Sequence, residues 1–124
     1  MNANELMLGD WIATKSPMGV QNSLIQGLYP KGIITETGGA FLFDEISAIP
    51  LTQEILEKNG FAQNYMYNVL KIDEDFEFWY YPHLGYLRYE YRGELLFKSM
   101  DGLNYVHQLQ HALRFCGIEK EIIL

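Results

Sequence analysis

The stretch NYVHQLQHAL, residues 104–113, places His107 and His111 four residues apart. That is one helical turn, the spacing at which a zinc protease presents two imidazoles to its metal. The chemistry also needs a glutamate directly after the first histidine, as general base for the metal-bound water. Gln108 stands there and cannot take a proton. At ~100° of turn per residue, Tyr105, Val106, Leu109, Ala112, Leu113 and Cys116 fall on one apolar stripe, with His107, His111 and Arg114 opposite. A permanent guanidinium beside the two imidazoles opposes a dication, and the sequence points to no third ligand. The expectation is a packed helix whose histidines face water, with no metal.

The densest acidic group is Asp73, Glu74, Asp75 and Glu77. A calcium loop needs a ladder of oxygen ligands with a glycine at its bend, which this stretch lacks, so a solvated hairpin turn is expected. His83 sits in YPHLGY, at a hairpin tip among Tyr81, Pro82 and Tyr86, where exposure is the rule. Cys116 falls on the apolar stripe near a helix end, where a thiolate is destabilised. No nucleophile elbow, phosphate-binding loop or dinucleotide glycine pattern is present. Nothing here assembles a catalytic constellation or calls for a cofactor.

One surface stands out. In FEFWYY and YLRYEYR, alternation puts Phe76, Phe78 and Tyr80 on one face, with Leu87, Tyr89 and Tyr91 beside them. These face the core. The other face carries Glu77, Trp79, Tyr81, Tyr86, Arg88, Glu90 and Arg92. If the hairpin register is regular, Trp79 and Tyr81 come near Tyr86, Arg88 and Arg92. Aromatics and arginines are enriched at protein interfaces and also form stacking platforms for single-stranded nucleic acid. Against both stands packing of this face on the N-terminal half, because Tyr and Trp favour strands in any case.

The bulk composition narrows the choice. The chain has 124 residues, 48% hydrophobic and 15% aromatic, so a substantial core is available and disorder is not. Its formal net charge is −7, with nine Lys and Arg. A nucleic-acid partner would meet net repulsion; that alternative would need Arg88, Arg92, Lys98 and Arg114 on one patch. A single cysteine rules out an internal disulfide and fits a reducing compartment. No basic, then apolar leader is visible at residues 1–11. No apolar run approaches the ~20 residues that span a bilayer. A cytoplasmic protein without membrane contact is expected.

The elements that must position these residues read as follows. ELMLGDWIAT, VQNSLIQGLYP, IITE and AFLF are short strands punctuated by turns at Pro17–Gly19, Lys31–Gly32 and Thr37–Gly39. Gly9 would suit a bend in the first strand. A helix follows Pro50. Thr52 is its N-cap, Leu51 and Leu56 its hydrophobic staple, and Asn59–Gly60 its left-handed end with Phe61 folding back. Then come strands YNVLKI, FEFWYY, YLRYEYR and ELLFK, and the histidine helix introduced by Asp101–Gly102 and ended by Gly117. EKEIIL is a last strand or an extended tail. The predicted fold is α+β. Residues 1–50 form a small antiparallel barrel-like unit, with an SH3-like barrel as one form it could take. Residues 51–124 form a helix, an antiparallel sheet and a covering helix. The two share one core, since ~50 residues are marginal alone.

Three segments, ELMLGDW (residues 5–11), PLTQEILEKNGF (residues 50–61) and YVHQLQ (residues 105–110), resemble an uncharacterised family of small proteins. That family occurs in anaerobic gut bacteria and their prophages or mobile elements. The resemblance implies a cytosolic bacterial or phage setting and carries over no activity and no site residues. The leading expectation is a non-catalytic protein-interaction module, binding a protein partner or self-associating through Trp79, Tyr81, Tyr86, Arg88 and Arg92. Two alternatives are a small enzyme or metal binder using His83 or His107/His111 with acidic residues, and a single-stranded nucleic-acid binder through Trp79, Tyr81 and Arg88.

Overall fold

The computed structural model describes residues 1, 3–99 and 102–124, so Asp101 lies outside the described residues. Among the described residues the architecture is α+β, with two antiparallel five-stranded sheets and two α-helices. The chain divides into two compact units: Met1–Pro50 with Tyr105–Gln110, and Leu51–Asn104 with His111–Leu124.

The first unit is a curled, barrel-like sheet. Its strands are β1 (Trp11–Ser16), β2 (Gly19–Tyr29), β3 (Gly32–Thr35), β4 (Ala40–Leu42) and β5 (Ile46–Ser47), in the order β4-β3-β2-β1-β5. A 3₁₀ turn at Phe43–Glu45 reverses the chain, so that β5 returns antiparallel to β1. Leu6, Ile12, Ile25, Ile33 and Ile46 form the core, with Phe41 and Phe43 packed against them. Gly9 lies in a turn ahead of β1 and not within the strand. There its N–H donates to the Ile25 carbonyl at 2.7 Å, and Glu5, the first residue of the expected strand, instead ends a 3₁₀ turn at Ala3–Glu5.

The second unit opens with α1 (Gln53–Lys58), whose two ends match their sequence signals. The Thr52 hydroxyl accepts from the Ile55 N–H at 3.2 Å. Gly60, at φ +91°, ends the helix, with its N–H on Glu57 O and the Phe61 N–H on Leu56 O. That is the paired bonding of a Schellman cap. Asn59 itself is not left-handed; its buried side chain has other work. Its Nδ2 donates to Ile55 O and Ile123 O, and its Oδ1 accepts from the Ile123 N–H, at 2.7–2.8 Å. EKEIIL is therefore an extended tail held by Asn59 and not a strand.

The sheet of this unit comprises β6 (Ala62–Asn64), β7 (Tyr67–Lys71), β8 (Phe76–Tyr81), β9 (Tyr86–Tyr91) and β10 (Glu94–Ser99), paired in the order β10-β9-β8-β7-β6. Phe78, Tyr80, Leu87 and Leu70 are buried on its inner face, as the alternation requires. The Tyr80 hydroxyl donates to the Leu103 carbonyl, which answers the polar end of a buried ring.

Helix α2 (Val106–Phe115) corrects one expectation. Val106, Leu109 and Leu113 are buried, but so are His107 (4% exposed) and Gln110. Tyr105, assigned to the stripe, is 40% exposed. The buried arc is rotated toward Gln110 and His107, so His107 does not face water. Of the two polar side chains on that arc, Gln110 bonds to backbone through both its amide oxygen and its amide nitrogen. Gly117 ends the helix with a second Schellman cap, Gly117 N–H on Arg114 O and Ile118 N–H on Leu113 O.

Candidate interaction surface on the second sheet

The outer face of the second sheet begins with local register. β8 and β9 pair without a slip, so Trp79 stands opposite Arg88, Tyr81 opposite Tyr86, and Glu77 opposite Glu90. β7 adds a residue that sequence reasoning missed. Tyr67 stacks on Trp79 with centroids 4.5 Å apart and planes 22° from parallel. It also meets Tyr81 at 5.5 Å, and Tyr81 meets Tyr86 at 5.5 Å. Four rings form one contiguous strip across three strands. The signal for Tyr67 was the alternation of YNVLK, masked because a polar residue, Asn68, sits on the inner face, where it accepts from Gln53 at 2.8 Å.

Trp79, Tyr81, Tyr86 and Arg88 are therefore together on one face, half-buried. Arg92 is placed differently from the expectation. Strand β9 ends at Tyr91, and Arg92–Gly93 form a two-residue hairpin turn with φ of +48° and +83°. Positive φ at both positions is what a type I′ turn requires. From there Arg92 Nε reaches back to Asp75 Oδ1 at 2.9 Å. Asp73 closes the neighbouring turn by accepting from the Asp75 and Phe76 N–H groups. This acidic stretch is thus a tight turn, as expected.

Beside Trp79 lies a cavity of about 350 Å³ lined by Glu74, Asp75, Glu77, Trp79, Glu90, Arg92 and Gly93. Glu77 Oε2 accepts from the Trp79 indole N–H at 2.9 Å, which orients the ring. Glu90 is buried, and its Oε2 pairs with Arg88 at 2.9 Å. The Arg88 Nε is buried without a hydrogen-bond partner. The face is thus polarised: uncharged rings toward the Pro82–Gly85 turn, carboxylates toward the Asp73–Asp75 turn.

The histidines do not join this surface. His83 is exposed in the turn after β8, at the opposite end of that strand from the acidic turn. Six residues at ~3.3 Å each separate the two by roughly 20 Å, so they form no acid–base pair. His107 belongs to the first unit, with its ring 6.1 Å from Tyr105, and His111 to the second. Among the described residues, no three His, Cys, Asp or Glu side chains are grouped to hold a metal ion. Cys116 is partly buried, and burial pushes its thiol from 9.0 up to about 11. No described helix is long and apolar enough to cross a membrane.

In comparisons with known proteins, no family model, curated protein or solved structure matches the chain.

Proposed function

We propose that this chain is a non-catalytic protein-interaction module, and that the outer face of its second sheet engages a protein partner or a second copy. The observation that supports this most is the strip Tyr67–Trp79–Tyr81–Tyr86, rings in mutual contact on a single sheet face. Large, rigid rings of this kind give contact area at little entropic cost and dominate binding energy where they occur. Tyr65 (93% exposed), Met66 and Leu84 extend apolar surface at the two turns where the strip ends. The first unit supports the reading more weakly. Its four-strand meander, 3₁₀ turn and returning fifth strand follow the order of an SH3-like barrel, a fold that hosts many functions and so fixes none. The resemblance of residues 5–11, 50–61 and 105–110 supports a bacterial cytoplasmic setting and a phage or mobile-element origin as part of this proposal.

Single-stranded nucleic acid is the second reading, since the same rings could stack bases. It is disfavoured because Arg88 and Arg92 are each committed to a carboxylate, and four carboxylates line the adjoining cavity. Trp79→Ala tests the proposal. If the face is an interface, the variant keeps a cooperative melt but loses self-association in ultracentrifugation, or loses its partner in capture from the native host. A central aromatic anchor is worth about 2 kcal/mol or more, roughly thirtyfold in affinity. Unchanged association and unchanged partner recovery would overturn the proposal.

A further inference from the structure

The aromatic strip does not account for the carboxylates at its end. Side chains directly opposite on one face of an antiparallel pair lie ~4.5–5.5 Å apart at Cβ, and like charges there oppose one another. Glu77 and Glu90 are such a pair. Each has one oxygen engaged, Glu77 by the Trp79 indole and Glu90 by Arg88. Glu90 is only 9% exposed, with its Oε2 on Arg88. With Arg88 paired to Glu90 and Arg92 to Asp75, Glu74 and Glu77 have no ion pair among the described residues, although the exposed Lys71 stands opposite Glu77 on β7.

We infer that this cleft takes the cationic side chain of a partner protein, a lysine or arginine in an extended segment, with its charged head between Glu77 and Glu90. This rests on the interaction reading above and names the chemistry of the partner. The methylene stem would lie along the Trp79 ring, which offers apolar contact and a cation–π face at once. Apolar residues next to the basic one would follow the rings of Tyr67, Tyr81 and Tyr86 along the face. Charge complementarity selects the occupant. On a chain of net charge −7, a basic segment is drawn in and a polyanion or an acidic strand is repelled.

The test uses the full chain, isotopically labelled, titrated at low salt with the capped peptide acetyl-Gly-Tyr-Arg-Tyr-Gly-amide and its Arg→Gln counterpart. The expected result is saturable shifts of the Trp79 indole N–H and the Glu77 and Glu90 amides, with about tenfold weaker binding of the Gln peptide. Glu77→Gln, which keeps an acceptor for the indole, should weaken the Arg peptide by about tenfold, and added salt should do likewise. Glu74→Gln, on an exposed turn, should move affinity in the same direction and guards against a folding defect in the first variant. No saturable shift, equal binding of the two peptides, or indifference to both variants would overturn the inference. So would self-association that survives Glu77→Gln and excludes the peptide, since the occupant would then be a second copy. If both glutamate variants are silent while Trp79→Ala abolishes association, the cationic segment fails and the interaction reading stands. If Trp79→Ala is silent as well, both fall.

Discussion

The side chain of Gln110 clasps the main chain beside Trp11. Its Oε1 accepts from the Trp11 N–H and its Nε2 donates to the Gly9 carbonyl, both at 2.9 Å. A helix side chain thereby bonds the chain on both sides of the buried Asp10, just as it enters β1. The Asp10 carboxylate accepts in turn from the Met7 N–H at 2.8 Å. Removing the amide would leave a donor and an acceptor of that segment without partners. Gln110→Ala is expected to cost about 1–3 kcal/mol in a urea melt, since a stranded polar group costs about that much where burial keeps water out, while the exposed Gly9 carbonyl can turn to water. Gln110→Glu keeps the acceptor and loses the donor, so it should also destabilise at neutral pH. A Gln110→Ala melt within about 0.5 kcal/mol of wild type would mean that the clasp contributes nothing.

Helix α2 provides a ranking. Leu109→Ala and Leu113→Ala should each cost about 2–5 kcal/mol, as truncations of fully buried leucines do. His107→Ala should cost more than the ~0.5 kcal/mol of a surface change, because the ring is buried. The same melts decide it, and a silent His107→Ala would place that ring in water after all.

Alkaline pH should weaken the fold. Burial raises the Cys116 thiol to about 11 and pushes the Tyr80 and Tyr89 hydroxyls above their ordinary 10.0. The unfolded chain releases these protons first, so the folded state binds more of them and stability falls as pH rises. The contribution of Cys116 is intact below about pH 9 and is lost on approach to about 11. Melts across that window should show the decline, and Cys116→Ala should remove its lower part while the tyrosine part persists. The raised thiol should also alkylate more slowly at neutral pH than a free cysteine.

Tyr65 holds φ of +60° while 93% exposed. Such a backbone costs a bulky L-residue about 1–3 kcal/mol, and glycine adopts it freely. Tyr65→Gly should therefore stabilise by about 0.5–1 kcal/mol in a denaturant melt. If the ring belongs to the interface, the same variant should bind its partner or itself more weakly. A gain in stability with a loss of association would identify Tyr65 as a residue kept for contact.

Much of this was legible wherever the physics is local. The Thr52 cap, the Gly60 termination and the alternation of FEFWYY against YLRYEY depend on neighbours a few residues away, and each stands as the sequence implied. The short strands β5 and β6 did not announce themselves, because two or three residues carry no readable period. Arg92 was assigned to its strand because the alternation runs smoothly through it; only the positive φ pair at Arg92–Gly93 cuts it off.

By itself, the sequence determined the class of the fold, the inner faces of β8 and β9, and that Trp79 and Tyr81 share a face with Tyr86 and Arg88. Periodicity and turn chemistry suffice for these. The register that pairs Trp79 with Arg88 and Tyr81 with Tyr86 is seen only in the structure. Tertiary structure alone decided which arc of α2 is buried, that Tyr67 completes the ring strip, and that Glu77 and Glu90 share a cleft with Trp79. The physical reason is that a polar side chain can be buried at little cost once distant backbone satisfies it. Gln110 meets Gly9 and Trp11 across about a hundred residues of chain, and no local pattern of apolar residues records where such partners will be.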